Sequence, residues 1–178
     1  LDSPVPPHVD SFGEAPKAGH AVLTRIFERC AADVGCNAAF PKLEQVFYQL
    51  LQDLDAKPAQ IGSRLITGDK FLDLVLSLLF DSSAVLNLPK LIYTASQGDY
   101  ALLGARVNER FGYDNTYSDG MQLSTLCADE LRFSSTATVA AATTGLPPRL
   151  AEYFVADAPS WFDVCEFWGT GSLNELEK

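Results

Sequence analysis

The sequence predicts an all-α fold, an irregular bundle of about seven to nine short helices. Three observations carry that expectation. Apolar residues recur at three- and four-residue spacing through most of the chain, which gathers them on one face of a helix. Proline, glycine and capping residues punctuate those stretches and keep each one short. Of the 178 residues, 47% are apolar and 20% charged, which is the balance of a chain that buries a core. The length suits one domain, or at most two small ones.

The elements follow in order. Residues 1–17 hold Pro4, Pro6, Pro7 and Pro16 with little periodicity and read as an extended proline-rich linker. The N-terminal Leu1-Asp2-Ser3-Pro4 has no initiator Met and no signal-peptide pattern, and reads as a cut end. From Ala18 to Ala32, the residues Val22, Leu23, Ile26, Phe27 and Cys30 make one apolar face, and Gly35 ends that helix. Pro41 suits a first helical turn, and Leu43, Val46, Phe47, Leu50, Leu51 and Leu54 continue the stripe to Asp55. Ile61 to Thr67 is either a short strand or a loop. Asp69 to Phe80 is apolar nearly all round, which predicts burial on several sides and places it at the centre of the core.

Ser82 or Ser83 can cap the next helix, with Pro89 expected in its first turn and Gly98 as its stop. Asp99 can cap Tyr100 to Arg110. After a loop containing Phe111, Tyr113 and Tyr117 comes the amphipathic stretch from Asp119 to Glu130. Beyond it, Ser134 or Ser135 starts a helix from Thr136 to Thr143. Pro147 precedes one from Arg149 to Ala156, and Pro159 opens a separate last segment with Trp161, Phe162, Cys165 and Trp168.

Charge and composition exclude several functions. A formal net charge of -10 repels phosphates, so neither nucleic acid nor an anionic membrane surface is an expected partner. No apolar run approaches the roughly 20 residues a membrane span needs, because Asp73 interrupts the longest run and Asp81 ends it. The four cysteines, at 30, 36, 127 and 165, contain no Cys-x-x-Cys pair. Their even number reads as two disulfides, with buried thiols or a metal as the alternatives. A bridge from Cys30 to Cys36 closes a short loop that contributes about 2.4 kcal/mol, and one from Cys127 to Cys165 up to about 3.9 kcal/mol in the chain-entropy model.

Catalytic signals are sparse. Gly-x-Ser-x-Gly, whose glycines permit the turn that exposes a hydrolase nucleophile, does not occur in the sequence. His8 lies in the linker and His20 at a helix start, where surface or capping roles are expected. Asp129 and Glu130 form either a solvated helix end or an acid pair that holds a cationic group. Carboxylates in a last helical turn oppose the helix dipole, and Arg132 is placed to compensate. The aromatics Phe111, Tyr113, Tyr117, Trp161, Phe162, Phe167 and Trp168 are expected mainly as core, with a ligand-facing or partner-facing surface as the alternative.

Several of these stretches resemble one family. Leu1-Asp2-Ser3-Pro4-Val5-Pro6-Pro7 resembles the segment just after the strand that follows the nucleophile elbow in tripeptidyl-aminopeptidase-like α/β hydrolases, which belong with the prolyl aminopeptidases. Cys30 to Cys36, with Phe40-Pro41, resembles that family's paired-cysteine turn. Ile66 to Asp69, Leu88 to Ile92, Gln97 to Tyr100, Gly120-Met121 with Ser124, Cys127 to Glu130 and Cys165 to Trp168 follow in the family's order. The chain departs from the pattern in lacking the polar hairpin often found around Ile61 to Thr67, and at Leu131-Arg132-Phe133.

The resemblance implies that the chain is the helical lid of a secreted serine peptidase or esterase, inserted between two strands of the hydrolase sheet. Residues 18–168 would be the lid and 169–178 a second linker, with the Ser-Asp-His triad outside the chain. It further implies that Met121, Ser124 and Thr125 face the cleft and that Asp129 and Glu130 hold a substrate's free amine. The expected partners are the hydrolase core in cis and a peptide or ester substrate, with self-association through the core-facing surface. No cofactor and no metal is expected, and the location is extracellular or periplasmic. The rival readings are a stand-alone helical module that binds an apolar ligand or protein, and an enzyme of unrecognised chemistry.

Overall fold

A computed structural model describes residues 9–112 and 118–169. Among these residues there are nine α-helices and one two-stranded hairpin, so the fold is all-α. The chain divides into two compact units, one made of Leu1–His20 with Asp114–Lys178 and the other of Ala21–Tyr113.

Helix α1 (Ser11–Ala32) starts well before the expected position, inside the stretch predicted to be linker. The cause is a cap that the prolines obscured. Asp10 Oδ1 accepts from the Gly13 amide at 2.6 Å, and the Asp10 carbonyl accepts from Glu14. Pro16 therefore lies inside a helix, where it is buried. The first half of α1 belongs to one unit and the second half to the other.

The unit Ala21–Tyr113 is built around α4 (Gly68–Leu78), as its all-round apolarity predicts. It packs against α3 (Leu43–Ala56), α5 (Ser82–Ser96) and α6 (Ala101–Phe111). Phe71 is fully buried at the centre of this core, with its ring centroid 6.2 Å from that of Phe47, which in turn lies 5.4 Å from Phe27 of α1. Gly68 allows the start of α4 to approach α3 closely, because a Cβ there would lie 2.6 Å from the Leu51 carbonyl oxygen. Its amide donates to Asp55 Oδ1 at 3.0 Å.

Helix α2 (Val34–Ala39) is a short turn capped by Asp33, and the Cys30–Cys36 disulfide ties it to the end of α1. Pro41 precedes α3 instead of sitting in its first turn, and Lys42 takes a left-handed conformation between them. The segment left open as strand or loop is a hairpin. Strands β1 (Ala59–Ile61) and β2 (Arg64–Ile66) pair antiparallel, with Ala59 opposite Ile66. Gly62, at φ 59°, supplies the positive φ that a two-residue turn needs at its first position. The expected lack of a hairpin here is thus corrected: the strands are only three residues long, too short to show alternation.

Asp81, not Ser82 or Ser83, caps α5, with Oδ1 accepting from the amides of Ser83 and Ala84. Hydrogen bonds from the Ser83 side chain, then from these two amides, hold its carboxyl below the usual carboxylate range. Pro89 sits in the middle of α5, buried, and not in its first turn. Asp99 accepts from the Ala101 amide at the start of α6, as expected.

The other unit combines the start of α1 with α7 (Asp119–Thr125), α8 (Thr136–Ala142) and α9 (Pro148–Trp168). Ser135 caps α8 through the Thr138 amide. The two segments expected after Pro147 are one continuous helix, with Pro159 in its interior. Burial of Leu150, Ala158 and Cys165 along this helix outweighs the roughly 3 kcal/mol a proline costs in a helix interior.

Candidate functional site

The stretch from Asp119 to Glu130 forms two elements. Ser118 caps α7 by accepting from the Met121 amide at 3.3 Å. A π-helical turn, Leu126–Glu130, then closes with the Leu131 amide donating to the Leu126 carbonyl five residues back. A single turn of 3-10 helix, Leu131–Phe133, follows. The π turn carries Cys127 inward, where it is fully buried and bridged to Cys165 of α9 with a Cα–Cα distance of 5.2 Å. Leu131 joins this core, and Phe12, Leu126, Trp161 and Phe162 pack around it. Phe12 and Phe162 meet edge to face with centroids 5.7 Å apart.

The bridge brings the end of α9 alongside α7. Trp168, one helical turn beyond Cys165, donates its indole N–H to Ser124 Oγ at 3.1 Å. Its ring lies over Gly120, where an added Cβ would be 3.5 Å from the nearest ring carbon. Ser124 Oγ in turn donates to the Gly120 carbonyl at 2.9 Å, and Thr125 Oγ1 donates to the Met121 carbonyl at 3.1 Å. Both hydroxyls are therefore bound to their own helix. A nucleophilic serine instead needs a base within hydrogen-bond reach, whereas the partners of Ser124 are a carbonyl and an indole.

Met121, Ser124 and Thr125 are exposed on one helix, with Met121 at 71%. Leu123 and Leu126 are half-buried. The two acids have different environments. Asp129 is exposed, whereas Glu130 is half-buried and its Oε2 accepts from Ser11 Oγ at 2.7 Å, which ties the π turn to the start of α1. The Arg132 guanidinium lies 5.9 Å from the centre of the Phe133 ring.

The aromatics divide between core and surface. Trp161 and Phe162 belong to the core of this unit, while Phe167 is 92% and Trp168 46% exposed. Tyr113, Tyr117 and His8 lie outside the described residues. Sequence reasoning counted Trp168 among the aromatics but missed its place beside Ser124. The spacing of Trp168 from Cys165 was the available signal, since residues three apart share a helix face.

Chemically, this surface offers an apolar and aromatic platform with Asp129 nearby in sequence. No cluster of three or more His, Cys, Asp or Glu side chains among the described residues could hold a metal ion. No helix among them is long and apolar enough to cross a membrane. Two formed disulfides are consistent with an oxidising environment. No family model, curated protein or solved structure matches the sequence.

Proposed function

We propose that this chain is the helical lid of a secreted α/β-hydrolase-fold serine peptidase or esterase, extracellular or periplasmic, whose Ser-Asp-His triad lies outside these residues. Its sequence motifs resemble those of tripeptidyl-aminopeptidase-like hydrolases. The observation that carries the reading is the exposed platform of Met121 and Trp168, held on α7 and α9 by the buried Cys127–Cys165 bridge. A lid needs such a surface, apolar towards a substrate yet fixed from behind, to exclude water from the reaction.

In this role Met121 and Trp168 cover the substrate's apolar side chains, and Asp129 takes its free amine. Glu130 supports the π turn through Ser11. In the intact enzyme, the double substitution Met121→Ala and Trp168→Ala raises KM for apolar peptides about tenfold, in line with the loss of one buried apolar contact. The kcat for a small activated ester stays unchanged. Steady-state kinetics on both substrates provide the check, and an unchanged peptide KM contradicts the role given to the platform.

A further inference from the structure

Within the unit Ala21–Tyr113, a groove of about 550 Å³ lies between the second half of α1 and the first half of α5. Its size is that of a small-molecule site. One row of α1, Val22, Ile26 and Cys30, gives an apolar floor, and α5 adds Val85, Leu86 and Pro89. Leu86 is 83% exposed and Val22 43%, so much of this apolar surface meets solvent. The Cys30–Cys36 disulfide also lines the groove.

The charge on the wall is unexpected for this protein. Among the described residues, the only ionisable side chains lining the groove are Arg25 and Arg29, in a chain with a formal net charge of -10. They sit one helical turn apart on the row beside the apolar floor, with Cβ atoms about 5–6 Å from each other. No ion pair engages either arginine among the described residues. Two guanidinium groups at this spacing can close on one carboxylate. Because α5 contributes only Val85 to Pro89, a single turn, the groove is too short on that side for a helix anchored over several turns.

We propose that this groove binds a single-chain amphiphile with an anionic head, of the long-chain carboxylate class. The tail lies along Val22, Ile26, Leu86 and Pro89, and the carboxylate is held by Arg25 and Arg29. The site involves different residues from the platform on α7 and α9 and does not depend on the lid reading.

The test is a titration of this chain with laurate below its micelle-forming concentration, followed by backbone amide shifts. The comparison probe is dodecyltrimethylammonium, which has the same tail and the opposite charge. Non-specific attraction to so acidic a protein favours the cation, so the two explanations predict opposite orders. The expected result is saturable laurate binding with shifts confined to residues 21–30 and 85–89, and weaker binding of the cation. The double variant Arg25→Gln and Arg29→Gln, both exposed positions, weakens laurate at least about tenfold. Equal or tighter binding of the cation, unchanged affinity in the double variant, or the absence of shifts in the groove would overturn the proposal.

Discussion

Replacing Phe71 with alanine destabilises the unit Ala21–Tyr113 by about 3–5 kcal/mol. Phe71 is fully buried on α4, the helix that packs against α3, α5 and α6, and its ring belongs to the run of aromatics from Phe27 through Phe47. Truncation removes the transfer free energy of the ring and leaves a cavity that these three helices can close only in part. The loss is a large fraction of the roughly 5–15 kcal/mol by which a domain is stable. Urea unfolding followed by far-ultraviolet circular dichroism measures it. A loss below about 1 kcal/mol would mean that α4 is not the centre of this core.

Removing the bridge between Cys127 and Cys165 by changing both to alanine has an entropic cost of up to about 3.9 kcal/mol, the value for the longer of the two loops. Both sulfurs are buried in the core of their unit, so a packing loss adds to the entropic one. The chain's two tryptophans, Trp161 and Trp168, lie on α9 either side of Cys165, so fluorescence reports directly on this change. Removing Cys30–Cys36 costs less, about 2.4 kcal/mol, because its loop is short. Denaturant midpoints for the two double variants check the order, and the reverse order contradicts the account.

Much of the fold was legible because burial in a helical protein leaves a periodic trace. Leu43, Phe47, Leu50, Leu51 and Leu54 mark the inner face of α3, and all are buried. The all-round apolarity of residues 69–80 placed α4 at the centre, although the helix ends at Leu78 and Phe80 is 95% exposed, and both disulfides formed between the cysteines expected to pair. Proline is where local pattern and tertiary structure diverge most. Pro16, Pro89 and Pro159 read as linker, first turn and segment boundary, yet each lies inside a helix. Local propensity charges a fixed cost to proline, while the gain from burying neighbours such as Ala158 and Cys165 is tertiary and invisible locally. The same blindness hid the hairpin at residues 59–66, whose strands are too short to show a period.

The candidate site was only partly legible. Met121, Ser124 and Thr125, which the resemblance assigns to the cleft, are exposed, while Cys127 on the same amphipathic stretch is buried. The hydrogen bonds from Ser11 to Glu130 and from Trp168 to Ser124 join residues 119 and 44 positions apart, and no local pattern encodes such pairs. Arg25 and Arg29, by contrast, stand four residues apart beside the apolar row of Val22, Ile26 and Cys30. That pattern is present in the sequence, whereas the facing wall that α5 supplies is tertiary and not encoded locally.

The lid reading makes the platform of Met121 and Trp168 one side of an active site completed by another domain. Its most direct test is to express the complete reading frame that encodes these residues, label the product with a fluorophosphonate and map the adduct by mass spectrometry. The account predicts a single labelled serine within a Gly-x-Ser-x-Gly sequence outside Leu1–Lys178. An adduct on a serine of this chain, or a natural protein bounded by Leu1 and Lys178 that takes up no label, would contradict it.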